Sequence, residues 1–278
     1  MCIRDSIALA DTLCNLGQVL EQLGQKDAEI MLRRALDIAT IHDEGKYELG
    51  WTCMEKLAEN LHKNDVSLDE AEALYQRIIE TKKASTDFGP HDYYSALDGL
   101  IELSILTGKL DQAITAQKEM LEIAKTFEEE YNEDKIEEFA RLARLLDKAG
   151  RYSEAESVLL DAISCANDTI GKFGEKGEMT PILKGDLAIC FQHQGKSEEA
   201  RSLVLDILED SKARFGASHP VYCNVQARAA SLYFQQGNRA AAIMVSSEVV
   251  QGFRTFFGID AKETRTAEMN HDMYTRQA

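Results

Sequence analysis

The stretch Lys148-Ala-Gly-Arg-Tyr-Ser-Glu-Ala155 has the composition of a tight turn between two helices. Gly150 has no Cβ atom and can take the positive φ at which a first helix stops. Ser153 has a side chain suited to cap the start of a second helix. Ala155 is small enough to let the two helix backbones approach closely, whereas the next residue, Glu156, is expected to be exposed. The stretch therefore predicts a helical hairpin.

Related turns recur along the chain at a nearly constant spacing. The clearest copies are Gly108-Lys-Leu-Asp-Gln-Ala113, Gly195-Lys-Ser-Glu-Glu-Ala200 and Gly237-Asn-Arg-Ala-Ala-Ala242, and looser copies cover residues 24–28 and 64–71. The alanine that ends each copy, called here the marker alanine, occurs at positions 28, 71, 113, 155, 200 and 242, in steps of 42 to 45 residues. Such a period is typical of a helical solenoid, in which each repeat packs on its neighbours.

The overall composition narrows the classes of partner. The chain has 278 residues with 48 acidic and 31 basic side chains, which gives a net charge of −17. A strongly negative protein gains no affinity by neutralising phosphates, so nucleic acid and membrane surfaces are not expected as partners. No apolar stretch approaches the length of a bilayer-spanning helix. The six cysteines include no Cys-x-x-Cys pair, which predicts reduced thiols and a cytoplasmic location.

Apolar residues at helical spacing predict six helix pairs and one further helix. The first six residues back-translate to a nucleotide sequence that resembles a sequencing-library adapter, so residues 1–6 are expected to be an artefact, with a genuine start as the alternative. Residues 7–278 are then expected to form a single repeat domain. The predicted repeats cover residues 7–41, 51–83, 94–127, 135–166, 181–215 and 221–257, with a terminal helix at 260–274.

A second periodic mark is the dipeptide Phe-Gly, which begins at positions 88, 173, 215 and 257. Each copy follows a predicted second helix, where glycine is a favourable left-handed cap. The third copy continues into Ala-Ser-His219-Pro220, which is suited to start the next helix. The 42-residue unit, the Gly-x-x-x-x-Ala turn, Phe-Gly and His-Pro together resemble the long tetratricopeptide repeat of kinesin light chains, over residues 7–274. The resemblance implies an all-α fold, a right-handed α-α superhelix (tetratricopeptide solenoid) of about six helix pairs plus a C-terminal helix.

The resemblance also implies where a partner would bind, because the first helix of each pair lines the concave groove of such a solenoid. Several first helices contain a Leu-Ala pair, as at Leu57-Ala58, Leu142-Ala143 and Leu187-Ala188. Residues at the position just before this pair, or one turn after it, are expected in the groove; Gly99, Glu59 and Glu102 occupy such positions. The candidate peptide-binding residues are Asn15, Lys56, Arg141, Arg144, Lys148, Asp186 and Arg228.

Three of these candidates, Arg141, Arg144 and Lys148, form a basic stripe on one predicted helix. Arginine can hold a carboxylate by two parallel hydrogen bonds, so the stripe is typical of a clamp for an acidic peptide or a C-terminal carboxylate. The alternative is an ordinary solvated helix face, in which Glu137 pairs with Arg141 four residues later.

No pattern typical of catalysis stands out. The segment Gly171-Lys-Phe-Gly-Glu-Lys-Gly177 lacks the Gly-Lys-Ser/Thr order of a phosphate-binding loop and ends a repeat, so we predict a loop insertion. The six histidines show no zinc-ligand spacing. We therefore expect a non-catalytic scaffold or adaptor that binds a peptide of a partner protein, without cofactor or metal. The alternative is a regulatory or sensor arm of a larger multidomain protein, such as a nucleotide-switched ATPase.

Overall fold

The computed structural model describes residues 3–43, 48–126, 132–173 and 177–276. Over these ranges the chain consists of helices and turns, without a β-strand. The helices are α1 Ile3–Gln22, α2 Ala28–Asp43, α3 Glu48–Lys63, α4 Leu68–Ala84, α5 Tyr94–Leu106, α6 Leu110–Ala124, α7 Asn132–Lys148, α8 Tyr152–Phe173, α9 Met179–His193, α10 Ser197–Phe215, α11 Pro220–Gln235, α12 Arg239–Phe257 and α13 Lys262–Arg276. The predicted all-helical fold is confirmed.

The helices alternate as first and second members of pairs, in the order that the marker alanines predict. Odd-numbered helices are the first members, even-numbered helices are the second members, and α13 follows the sixth pair. The chain divides into two compact units, residues 1–123 and residues 124–278. The boundary falls at the end of α6. The adapter origin of residues 1–6 and the single-domain organisation of residues 7–278 stay predictions.

The turn between α7 and α8 has the geometry that the sequence predicts. Gly150 has a φ of +75°, and the Arg151 amide donates a hydrogen bond of 2.8 Å to the Leu146 carbonyl across the end of α7. The turn of the second pair contains no glycine, and there Asp65 takes the left-handed conformation with a φ of +56°. Aspartate tolerates this conformation better than most residues, so the hairpin forms without glycine.

The start of α8 differs from the prediction in one detail. Ser153 is not the helix cap, because α8 begins at Tyr152. The carbonyl of Arg151 accepts the first helical hydrogen bonds, from the amides of Glu154 and Ala155, both at 3.1 Å. The Arg151 guanidinium also donates to the Glu154 carboxylate at 2.7 Å. An ion pair therefore stabilises the turn where a serine cap was expected.

The marker alanines lie in the most closely packed part of each repeat, and all six are at most 2% exposed. Ala200 belongs to a buried cluster that includes Ala188 of α9, Val204 of α10 and Ala229 of α11. The contact between one pair and the first helix of the next therefore leaves room for only a methyl group at this position.

Two glutamates that directly follow a marker alanine connect one repeat to the turn of the next, and we call Glu72 and Glu156 the bridging glutamates. Glu72 accepts a hydrogen bond from Lys109. Glu156 accepts hydrogen bonds from Lys196 at 3.0 Å and from Gln194 at 2.7 Å. The prediction that Glu156 is exposed is therefore wrong, because these bonds hold its side chain against the following repeat at 26% exposure.

The bridging glutamates are expected to make folding stability depend on pH. Hydrogen bonds, from Lys109 to Glu72 and from Gln194 to Glu156, are the main causes that lower the pKa of each carboxyl below its ordinary value of 4.5. Such groups stabilise the fold above the unfolded-state pKa, and this contribution is lost as the pH falls through the folded-state pKa. In urea denaturation at a series of pH values below about 6, Glu72→Gln with Glu156→Gln should flatten the loss of stability. An equal flattening in the exposed Glu198→Gln variant would contradict this prediction.

Helix α8 is longer than predicted. It continues past the expected end at Ala166 to Phe173, so the first residues of the predicted loop insertion, Gly171 and Lys172, lie in a helix. No proline lies between Ala166 and Phe173, and a single glycine weakens a helix without necessarily ending it. The remainder of that loop at positions 174–176, which includes the glycine of the second Phe-Gly dipeptide, lies outside the described residues.

Candidate functional site

A ladder of charged side chains crosses three first helices of the second unit. Arg228 of α11 donates a hydrogen bond of 2.6 Å from Nε to Asp186 Oδ1 of α9. The other carboxylate oxygen of Asp186 lies 3.8 Å from Nη1 of Arg144 on α7. The structure therefore brings together three of the predicted groove residues. We call the surface of α7, α9 and α11 that carries Arg144, Asp186 and Arg228 the first-helix face of the second unit.

A glycine that the sequence analysis overlooked makes the ladder possible. A Cβ atom built on Gly185 would lie 2.3 Å from Cδ of Arg228, so the arginine stem crosses α9 directly over the glycine backbone. Nη1 of Arg228 also donates to the carbonyl of Asn224, at 3.2 Å. Because the side chains of Arg228 and Asp186 are only 18% and 12% exposed, their main effect is to hold α11 on α9.

The basic stripe does not act as one unit in the structure. Arg141 is 26% exposed and its guanidinium lies 3.6 Å from the Glu138 carboxylate, which is only 7% exposed. The predicted partner, Glu137, is exposed, because it lies one residue away from the buried side of α7. Arg144 and Lys148 both remain exposed. The structure therefore separates Arg141, which pairs within its own helix, from the two exposed basic residues.

A second polar row, which the sequence analysis missed, crosses the same three helices. Nδ1 of His193 on α9 lies 2.8 Å from Oδ1 of Asp147 on α7. Nε2 of His193 lies 3.2 Å from the amide nitrogen of Gln235 on α11. Gln235 and His193 are 42 residues apart, so the repeat period was the available signal. This row stabilises the stacking of first helices and involves no candidate groove residue.

In the first unit, the two candidate groove residues pair within their own helices. Asn15 of α1 is exposed, and its amide donates weakly to Asp11, at 3.4 Å. Lys56 of α3 lies 3.2 Å from the Glu59 carboxylate one turn later. Neither residue is held by a neighbouring helix through these contacts, so both can rearrange at little cost.

Carboxylates outnumber lysines on the first helices of the first unit. Glu21 of α1 accepts a hydrogen bond of 2.9 Å from Lys63 of α3, and this bond is the main cause that raises the pKa of Lys63. The acidic side chains of these helices include Glu21, Glu55, Glu59, Asp98 and Glu102, against the lysines at positions 56 and 63. The first unit therefore presents a negative first-helix surface.

Across residues 3–43, 48–126, 132–173 and 177–276, no group of three or more His, Cys, Asp or Glu side chains is arranged to hold a metal ion. Within the same ranges, every helix is too short or too polar to cross a bilayer.

Comparison with known proteins places the fold through structure alone, since no family model and no curated protein matches the sequence. The kinesin light chain-type TPR-like repeats of Podosopora anserina are similar at 19% identity over 73% of this chain and 94% of theirs, with a TM-score of 0.53. The apo form of RapI is similar at 12% identity over 99% of this chain and 86% of its own, with a TM-score of 0.59. A Rap protein complexed with competence and sporulation factor is similar at 12% identity over 98% of this chain and 85% of its own, with a TM-score of 0.50. The chain therefore has the tetratricopeptide-like helical repeat fold, of which the kinesin light chain-type repeats are one example.

Proposed function

We propose that the chain is a non-catalytic scaffold or adaptor that holds a peptide segment of a partner protein on its first helices. Preformed helices suit this role, because they keep scattered side chains in place without an ordering cost at binding. The similar Rap protein is described in complex with competence and sporulation factor, which supports a binding role. The net charge of −17 favours a protein partner over nucleic acid or an anionic membrane. The free thiols of the described cysteines support a cytoplasmic location.

The exposure of Arg144 is the observation that carries the proposal. Its side chain is 52% exposed. Nη1 of Arg144 lies 3.8 Å from Oδ2 of Asp186, so the two side chains form an ion pair without a direct hydrogen bond. Arg228 already binds Asp186, so Arg144 can turn to a carboxylate of a partner without leaving the Asp186 charge unpaired. Lys148, exposed one turn later on α7, adds a second positive charge. We propose that these two residues anchor an acidic segment on the second unit.

A charge reversal at Arg144 tests this function. In fluorescence anisotropy with a short labelled peptide of alternating glutamate and alanine, Arg144→Glu is expected to weaken binding about fivefold to tenfold, because an attractive charge becomes a repulsive one. Arg201→Glu is the matched control, since Arg201 is an exposed arginine on the second helix α10. Equal losses in both variants, or no loss in Arg144→Glu, would contradict the proposed anchor.

A regulatory or sensor arm of a larger multidomain protein is the alternative proposal. In that case the peptide segment belongs to another domain of the same gene product, for instance a nucleotide-switched ATPase. The complete gene product would then contain a catalytic domain, and Arg144→Glu would change its turnover without any separate partner present. Unchanged turnover in that variant would count against a regulatory arm that uses this face.

A further inference from the structure

Four carboxylates occupy matching positions on two successive first helices of the first unit. Glu55 and Glu59 are one turn apart on α3, and Asp98 and Glu102 are one turn apart on α5. The offset between the two pairs is 43 residues, which is one repeat step, and α3 contacts α5. Residues one repeat apart face the same way in a helical array. We call these four residues the acidic quartet.

Tyr75 reaches the acidic quartet from the second helix α4. Its side chain is large and only 1% exposed. The ring lies against the backbone of Gly99 on α5, where a built Cβ atom would be 2.4 Å from Cζ and 2.6 Å from the hydroxyl oxygen of Tyr75. Gly99 directly follows Asp98 in the sequence. The missing side chain therefore lets the phenol lie against α5 beside Asp98, where the four carboxylates act on it electrostatically.

The hydroxyl group of Tyr75 has no hydrogen-bond partner among the residues that the structure describes. The hydroxyl of a tyrosine whose ring is buried usually finds a partner, so this oxygen is left for water or a ligand. The charges of the acidic quartet do not ionise the phenol. Burial first, and then the nearby charges of Glu59, Glu55, Glu102 and Asp98, raise the pKa of Tyr75. A neutral hydroxyl is therefore available to accept a hydrogen bond from a ligand.

Part of the negative charge is also unmatched. Lys56 pairs with Glu59 at 3.2 Å, and Lys63 pairs with Glu21 at 2.9 Å. Within the described ranges, Glu55 and Glu102 make neither a hydrogen bond nor an ion pair through their carboxylates. A cation that binds beside the Tyr75 hydroxyl would neutralise charge that the chain itself leaves in excess.

We propose that Tyr75 and the acidic quartet bind a lysine side chain of a partner peptide. This inference rests on the proposed scaffold function and names the ligand of the first unit. An ammonium group is compact and has three N–H donors, which suit the Tyr75 oxygen together with the carboxylates of Glu55 and Glu102. A guanidinium has its donors in a flat, rigid fork that matches a carboxylate better than a single phenol oxygen. Lysine is therefore preferred over arginine.

Labelled peptides test this site on the full chain. A short fluorescein-labelled peptide of alternating lysine and alanine is compared with its acetyl-lysine and arginine counterparts by fluorescence anisotropy. The lysine peptide is expected to bind at least about fivefold more tightly than the acetyl-lysine peptide, and more tightly than the arginine peptide. Glu55→Gln with Glu102→Gln is expected to weaken lysine binding about tenfold, and Tyr75→Phe about threefold, since the ring still fills its place.

A matched control separates a site from general charge attraction. Asp69→Asn with Glu80→Gln removes the same charge from exposed positions of α4 in the same unit, and is expected to leave lysine binding almost unchanged. Equal losses in the control, or full binding after Tyr75→Phe and the Glu55 and Glu102 changes, would overturn the site. Equal binding of the arginine peptide would overturn the lysine preference.

The lysine and glutamate peptides separate this inference from the scaffold proposal. If only the glutamate peptide binds, and does so through Arg144, the lysine site is wrong and the scaffold function is supported. If only the lysine peptide binds, the site is supported and the Arg144 anchor is wrong. If neither binds, both proposals are contradicted.

Discussion

Replacing Gly99 by valine is expected to lower the free energy of unfolding by about 3–5 kcal/mol, which is close to the cost of deleting a buried aromatic side chain. The reason is geometric, because any Cβ atom at this position would overlap the ring of Tyr75 at 2.4 Å. The ring is rigid and only 1% exposed, so it has little free space into which it can shift. Urea denaturation followed by circular dichroism measures the loss.

A second variant shows whether the displaced ring is the cause. If Gly99→Val already expels Tyr75, adding Tyr75→Ala should cost far less than Tyr75→Ala costs alone, and the two changes will not be additive. Gly89→Ala serves as the control, because its Cβ atom would meet only Asp92 at an ordinary 3.7 Å. Full additivity of the Gly99 and Tyr75 changes would show that they act independently.

Replacing Ala155 by leucine is expected to lower the free energy of unfolding by about 1–3 kcal/mol or more. Ala155 has no exposed surface, and three further carbon atoms can be accommodated only if α8 moves away from its neighbours. Ser157→Leu is the control, since Ser157 is exposed on the same helix and its replacement should change stability by about 0.5 kcal/mol or less. Thermal unfolding by calorimetry compares the two variants. Equal stability of both would contradict the close packing inferred for the marker alanines.

The sequence predicts the repeat architecture well, because it depends on local properties of the chain. A glycine that needs a positive φ and an alanine that admits a close helix contact leave a periodic signal, as at Gly150 and Ala155. The length of α8 was missed because no strong breaker follows Ala166. The same local reasoning chose Ser153 as the cap, although Arg151 and its ion pair provide an equivalent start.

The candidate site could be predicted only in part, because the partner of a long side chain depends on how helices are placed side by side. Helical spacing admits both Glu137 and Glu138 as partners of Arg141, and only the burial of α7 selects Glu138. The contact of Asp186 with Arg228 also needs the actual separation of α9 and α11. The sequence therefore predicts the helix face on which these residues lie, but not which of them contact each other.

Glycines inside helices were the signal that the sequence analysis overlooked. A Cβ atom on Gly17, Gly99, Gly185 or Gly252 would overlap a side chain of another helix. Glycine is unfavourable in the middle of a helix, so its presence there indicates a close approach. From that rule, a close contact could have been predicted at Gly99 and at Gly185. The rule does not identify Tyr75 and Arg228 as the residues that make these contacts.

The bridging glutamates also bear on how such a chain can lengthen. Glu72 and Glu156 each bind the lysine in the turn of the next helix pair, Lys109 and Lys196. A gene duplication that copies two successive repeats supplies both the acceptor and the donor, so the new segment contains the complete bond. An insertion of one residue within a helix turns every later side chain by about 100° and separates donor from acceptor. Duplication of complete units therefore preserves these bonds, whereas an insertion within a helix breaks them.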